Sequence, residues 1–403
     1  MVKFAHMSDC HLGSWSNHPD MRDYPAAAFE SALDKCIKEG VDFVIIAGDL
    51  FDTSLPPIDI LKRATAALRK CKEAGLPVYA VPGSHDYSPT GKTMLSVLEE
   101  AGLLVDVCKF DVVDGKVKLK ITVDGKTGVK LTGIMGRKGG LDVNYYRDID
   151  RSIEKEDGFK IFVFHAGIED YRPGNMIDML AVPISDLPKG FNYYATGHIH
   201  QKFFDEKHMI VFPGELFPTS FDELEVYNGG FIIAEEKNGK IGVKWIDNHL
   251  FDVALLTFDA TGKSGFAVHD EMMKSVRQSN LKGKVLLLKA SGTLESGRLF
   301  DIDFNKITET AKEAGALVVK RSTSGVSVKE FEEIDARESL SAEQVEKGLI
   351  EQHSQQLMLT GVSDVADFVA NMMNALNLEK QEDETNATFE ERVKSAAKKV
   401  VGL

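Results

Sequence analysis

The chain has 403 residues, 43% of them hydrophobic and 27% charged, and a formal net charge of −14 at pH 7. That length suits two or three domains with proper cores. So acidic a balance excludes a protein that coats nucleic acid by bulk positive charge, although bound metals and a local basic patch would still allow DNA binding. The four cysteines, at 10, 36, 71 and 108, lack CxxC spacing and fit free thiols in a reducing compartment better than a disulfide framework. No apolar run approaches the ~18 residues of a membrane span. A cytoplasmic protein with no membrane segment is expected.

Over residues 1 to about 105 strand and helix patterns alternate. The run Phe4-Ala5-His6-Met7 ends at Asp9-Cys10-His11. Tyr24 to Glu39 has helical apolar spacing (Phe29, Leu33, Ile37) and stops at Gly40. Phe43-Val44-Ile45-Ile46-Ala47 leads into Gly48-Asp49-Leu50-Phe51-Asp52, and Pro57 to Lys72 is helical again. Val78-Tyr79-Ala80-Val81 leads into Gly83-Ser84-His85-Asp86, ahead of a third helix over about Lys92–Glu100. Short β-branched or aromatic runs bounded by Gly read as buried strands. Their order predicts a mostly parallel sheet with right-handed crossovers.

From 106 to 135 the texture changes to alternating strands such as Val117–Ile121, with Asp114-Gly115 and Asp124-Gly125 as hairpin turns. Strands return between 159 and 247. Ile161–Phe164 precedes His165, and Tyr193-Tyr194-Ala195 precedes Gly197-His198-Ile199-His200. A smaller α/β unit follows: strand Ala254–Phe258, helix Phe266–Gln278, strand Val285–Leu288, helix Asn305–Ala314 and strand Leu317–Lys320. From 338 the pattern is helical. Val365, Phe368, Val369, Met372, Met373 and Leu376 make an apolar stripe. Residues 379–387 are polar and linker-like, and Thr388 with Glu391 is a candidate capping box for a last helix. The expected domains are 1–247, 248–335 and 336–403.

Five times, then, Asp or His stands where an apolar run stops. In α/β sheets ligands gather outside the carboxyl ends of the strands. Imidazoles and carboxylates arriving there together can hold metal ions, and this donor set suits Mn, Fe or Zn, while the lack of thiolates argues against a structural zinc site. Asp49 lies between the other motifs and has two oxygens, which makes it the natural bridge between two metals ~3.5–4 Å apart. Gly48, Gly83 and Gly197 let backbone approach such a site closely. Asp52 and Asp86 read as supporting hydrogen-bond acceptors rather than ligands. His6, inside a strand, reads as a packed histidine. His18, His208, His249, His269 and His353 lack motif context. Lys62, Arg63, Arg69 and Lys70 read as a solvated helix face.

The order Asp-x-His, Gly-Asp-x-x-Asp, Gly-x-His-Asp, His, Gly-His-x-His resembles the calcineurin-like metallophosphoesterases. Ser8-Asp9-Cys10-His11-Leu12-Gly13, Gly48–Asp52, and Pro213-Gly214-Glu215 followed by Thr219-Ser220-Phe221 resemble more closely the Mre-eleven/SbcD family of double-strand-break repair nucleases, of archaeal type. The resemblance covers the layout of about residues 1–330 and is most specific before 221. Thr53-Ser54 stands where the protein phosphatases of the superfamily carry Arg-Gly, which counts against that branch.

The resemblance implies a four-layer αββα sandwich with a small α/β capping domain and a helical C-terminal tail. It implies one metal held by Asp9, His11, Asp49 and His200, and another held by Asp49, His165, His198 and the residue at 84. His85 would stabilise or protonate the leaving oxygen. It further implies two Mn ions per chain, exonuclease and endonuclease activity on DNA, a homodimer, and a complex with a Rad-fifty-type coiled-coil ABC ATPase. One departure matters: the family usually has Asn where this chain has Ser84, and a serine hydroxyl is shorter and a weaker metal donor than an amide oxygen. The second metal is therefore expected to be held less tightly.

Two other readings stand beside the nuclease: a small-nucleotide phosphodiesterase of the same superfamily, and a weakly catalytic DNA-end scaffold. DNA-contacting residues are not assigned, although Arg137-Lys138 with Tyr145-Tyr146 mixes cations and aromatics in a Gly-rich loop suited to such contact. The homodimer is expected on the helices near Ile60–Leu68 and Thr93–Leu98, with Leu61, Leu95 and Leu98 as apolar surface. The stripe from Val365 to Leu376 is expected to dock the partner ATPase.

Overall fold

Each strand that leads into one of the five clusters is apolar on both faces because it lies between two other layers. The computed structural model describes residues 1–88, 91–140, 142–172, 180–227, 229–329, 350, 364–378 and 386–401. In it β1 (Val2–Met7), β2 (Phe43–Ala47), β3 (Val78–Val81) and β4 (Val105–Asp106) run parallel. The antiparallel pair β13 (Gly230–Lys237) and β14 (Lys240–Asp247) extends this sheet beyond β1, giving the order β14-β13-β1-β2-β3-β4. A hairpin of β5 (Phe110–Val113) and β6 (Lys116–Leu119) leads to the second sheet. That sheet has β7 (Thr122–Val123), β8 (Lys130–Ile134), β9 (Lys160–His165), β10 (Tyr193–Gly197), β11 (Phe203–Asp205) and β12 (Ile210–Phe212), in the order β11-β12-β10-β9-β8-β7.

Alternate side chains of a strand point to opposite faces. Along β2, Val44 and Ile46 join the core beneath helices α1 (Tyr24–Glu39), α2 (Ile58–Glu73) and α3 (Met94–Glu100), while Phe43, Ile45 and Ala47 join the core between the sheets. Leu131, Ile161, Val163 and Tyr193 meet them from the second sheet. The outer face of that sheet presents Phe162, Phe164 and Phe212 to Tyr146 of α4 (Val143–Arg147) and to Ile168, Val182 and Leu187. The result is the expected four-layer αββα sandwich. Each buried Phe, Ile or Val contributes about 1.5–3 kcal/mol. Parallel strands covered on both faces are apolar throughout for this reason.

Three local expectations need correction. Asp114-Gly115, at φ 51° and 72°, is the expected two-residue hairpin turn. Asp124-Gly125 is not: six residues separate β7 from β8, and the Asp124 carboxylate accepts the N–H groups of Lys126 and Thr127, which fixes a wider loop. The strand expected over Val117–Ile121 ends at Leu119 and restarts at Thr122. Leu95 and Leu98 are fully buried under the first sheet, so they give α3 no apolar surface; Val97, 55% exposed, points outward instead.

The chain divides into two units. One comprises Met1–Ala254 with Lys282–Leu287 and Ala316–Lys320, and the other Leu255–Leu281, Leu288–Gly315 and Arg321–Leu403. β15 (Asp252–Asp259), β16 (Lys284–Leu294) and β17 (Val318–Val328) form a three-stranded sheet in that order. The second unit holds α6 (Gly265–Gln278) and α7 (Phe304–Glu313), packed on each other. It also holds α8 (Val365–Leu376), capped by Asp364, and α9 (Asn386–Val401). The α8 stripe is only half-buried, with Met373 and Leu376 exposed. Because α9 starts at Asn386, Thr388 lies inside it and is not its cap. The expected helical start at 338 and most of the 379–387 linker lie outside the described residues.

Candidate metal centre

The backbone turns sharply as it leaves the strands. Asp9 (φ 51°), His11 (43°), Asp49 (49°) and His198 (86°) all take left-handed conformations that non-glycine residues adopt rarely, at a cost of order 1–3 kcal/mol each. Those turns bring together side chains from five loops. Only glycine fits between them: a Cβ on Gly48 would lie 2.2 Å from the His165 ring, and one on Gly83 would lie 2.2 Å from the Asp49 carboxylate.

Asp9, His11 and His200 converge, as do Asp9, Asp49 and His165, and in each set the ligand atoms lie within 4.8 Å of one another. Asp9 Oδ1 is 3.5 Å from His200 Nε2 and 3.9 Å from His165 Nε2. Asp49 Oδ2 is 3.1 Å from His165 Nε2 and 3.8 Å from His11 Nε2, and so faces both sets. Ser8 Oγ donates to Asp9 Oδ2 at 2.6 Å, and the His198 N–H donates to the same carboxylate. His198 stands beside His165, ring centroids 5.1 Å apart, outside the three-group sets. Ser84 Oγ donates to Asp49 Oδ2 at 3.5 Å.

The supporting residues are placed with equal care. The His85 N–H donates to Asp49 Oδ1 at 2.7 Å, and its Nδ1–H donates to the Asp52 carbonyl at 2.8 Å, so that Nε2 makes no hydrogen bond among the described residues. The Asp52 carboxylate lies 3.3 Å from His11 Nδ1, and a third set, His11, Asp52 and His85, converges there. Asp86, buried, accepts N–H groups from Leu50, Phe51 and Gly83 and so ties two of the loops together. Burial beside Asp49 pushes its carboxyl up to about 7, against the pull of those donors. His6 is packed, as expected, with Nδ1 3.0 Å from Tyr193 Oη, and burial pushes it down to about 3. His353 lies outside the described residues.

One partner carried no functional expectation. His200 Nδ1–H donates to Glu223 Oε1 at 2.8 Å. Glu223 also accepts from the Thr219 N–H and hydroxyl and completes a capping box with Ser220 at the start of α5 (Phe221–Val226). Burial opposes its charge, but the His200 hydrogen bond wins and holds its pKa near 2. The Ser-x-x-Glu spacing of Ser220 and Glu223 was the available signal.

The donor set fits divalent metal ions. His165 Nδ1–H donates to the Ala47 carbonyl at 2.8 Å, so the Nε2 lone pair faces Asp9 and Asp49. That nitrogen is buried and makes no hydrogen bond among the described residues. A lone pair aimed at two carboxylates is repulsive unless a cation stands between them. Without metal a proton must serve: burial opposes it, yet Asp49 and Asp9 raise the His165 pKa to about 10. In return, burial notwithstanding, His165 holds the Asp49 carboxyl far below its ordinary range. His198, by contrast, is pushed down to about 4 by burial and by His165. Beside the cluster lies a cavity of about 490 Å³ lined by Ser84, His85, Arg137, His165, Leu180 and His198 among others.

Residues 2–202 match the family described as calcineurin-like phosphoesterase. The chain is 27% identical to the DNA double-strand break repair protein Mre11 of Sulfolobus acidocaldarius, over 73% of this chain and 76% of that one. It is 26% identical to the protein of the same name from Archaeoglobus fulgidus, over 76% and 72%. Its identity to that of Sulfurisphaera tokodaii is 32%, over 50% and 49%.

Proposed function

Because the chain belongs, through residues 2–202, to the calcineurin-like phosphoesterases, and its curated relatives include archaeal Mre11 proteins, we propose that it is a Mn-dependent DNA nuclease of double-strand break repair. The observation that carries the reading is the buried His165 Nε2 lone pair facing Asp9 and Asp49, which calls for a cation. One ion would be held by Asp9, His11, Asp49 and His200, and the other by Asp49, His165, His198 and Ser84. When bound, two such ions would supply polarisation of a phosphodiester and a nucleophilic water at neutral pH.

The protein's own groups do the rest. Asp49 faces both sets and would be the ligand common to the two ions. The Ala47 carbonyl and Glu223 fix the ring orientations of His165 and His200. His85, anchored through Nδ1–H on the Asp52 carbonyl, would in its imidazolium form present Nε2–H to the leaving oxygen as hydrogen-bond donor or acid, and would be left as the neutral imidazole once that proton is given up. Imidazole with carboxylate suits Mn, Fe or Zn, and the family resemblance favours Mn among them.

The protein acts as a homodimer, supported by the exposed apolar Ile58 on α2 and Val97 on α3. It acts with a Rad-fifty-type coiled-coil ABC ATPase, docked on the half-buried α8 stripe. The free thiols of Cys10, Cys36, Cys71 and Cys108 suit a cytoplasmic setting, and no helix among the described residues is long and apolar enough to cross a membrane. The test is digestion of labelled duplex and hairpin DNA with Mn, beside a small phosphodiester such as bis(p-nitrophenyl) phosphate. Cleavage of the DNA supports the reading; cleavage of the small diester alone assigns the chain to small-nucleotide hydrolysis.

A further inference from the structure

Arg137 is a cation in the metal-side cavity with no task in the scheme above. It follows β8 and lines the same 490 Å³ space as His85, His165 and His198. The residue is half-buried, and its Nη1 donates to Tyr145 Oη at 3.3 Å in a part-buried contact. Tyr145 in turn rests against Phe110, with ring centroids 5.5 Å apart. The acid in this cavity, Asp142, turns a carboxylate oxygen to the Arg137 backbone N–H at 3.3 Å rather than to the guanidinium. Among the described residues, no carboxylate forms an ion pair with the Arg137 side chain.

A guanidinium that has left part of its hydration behind without gaining an anion is costly. A phosphate oxygen supplies both the charge and the hydrogen-bond geometry that it lacks. The scissile phosphate already has the metal cluster and His85. The cavity is of a size that takes a nucleotide-sized group beyond it. Resting on the nuclease reading, we propose that Arg137, held by Tyr145, grips the backbone phosphate adjoining the scissile one. It positions a nucleic-acid strand, and a lone phosphodiester has nothing to offer it.

The test compares wild type with Arg137→Gln, Arg137→Lys and Tyr145→Phe, in Mn, on a short DNA duplex and on bis(p-nitrophenyl) phosphate. Arg137→Gln should raise KM for DNA about ten- to hundredfold, the usual worth of a charge-assisted hydrogen bond, with a smaller change in kcat. The loss of kcat/KM on DNA should exceed that on the small diester at least tenfold. The slope of log(kcat/KM) for the duplex against log salt should become shallower by about 0.9, the worth of one phosphate contact. Arg137→Lys should recover part of the loss, and Tyr145→Phe should raise KM less than Arg137→Gln does. Mn content should match wild type. Equal losses on both substrates, or an unaltered KM and salt slope on DNA, would overturn the assignment. Failure of the wild type to cut the duplex would instead overturn the nuclease reading and leave this one without a substrate.

Discussion

Ser84 donates its hydroxyl to Asp49 and so turns toward the cluster a proton where an amide would turn an oxygen. Ser84→Asn is expected to raise affinity for the ion on the His165 side and to increase the nuclease rate at low Mn, with the gap narrowing at saturation. Activity titrated against Mn for both proteins checks it, and superimposable curves would mean that Ser84 suffices. His85→Ala should keep metal content and slow cleavage by about 10²–10⁴-fold; loss of metal would make His85 a ligand. Glu223→Gln should weaken the ion on the His200 side by about 10–100-fold, read by calorimetric Mn titration. At this scale the residues that face the cluster were legible, because Asp and His recur where apolar runs end. Their supports were less so. Glu223 lies 23 residues beyond His200 and reads locally as half of a helix cap, while the Ala47 carbonyl, being backbone, leaves no trace in residue type.

Elements were legible where burial is two-sided. A run such as Phe43–Ala47 has few other uses. What pattern alone does not give is which surface covers a helical stripe: Leu95 and Leu98 look the same whether they face their own sheet or a second chain. The distinction has a consequence. Leu98→Asp buries a charge in the α3 core and should lower stability by several kcal/mol, seen as a large fall in the denaturation midpoint. Val97→Asp, on the exposed side of the same helix, should leave that midpoint nearly unchanged and, if α3 contributes to the dimer, shift the mass in light scattering toward the monomer. A folded dimer in the Val97 variant would move the interface elsewhere. The Asp124 loop was misread for a similar reason, since Asp-Gly signals a tight turn only where the side chain is not already capturing backbone N–H groups.

At the scale of the whole molecule, the facing of the two sheets rests on contacts between distant segments, such as Phe4 stacked edge-on against Tyr193, which no local pattern encodes. The layers followed from the family resemblance rather than from periodicity. Removing residues 338–403 should leave cleavage of simple substrates intact and weaken binding to the coiled-coil ATPase; an unfolded product, or undiminished binding, would show that the α8 stripe has another role. Mn should raise the unfolding temperature of the full chain, by the equivalent of about 2.7 kcal/mol at a hundredfold excess over Kd, and a chelator should reverse it. The central claim is that Asp49 joins two metal sites in one centre, and the count of Mn ions per chain tests it most directly. Wild type equilibrated with Mn should carry two. Asp49→Ala, which loses a ligand from both sites, should carry fewer than one and lose cleavage. Two tightly bound ions in the Asp49→Ala protein, or none in the wild type, would contradict the account.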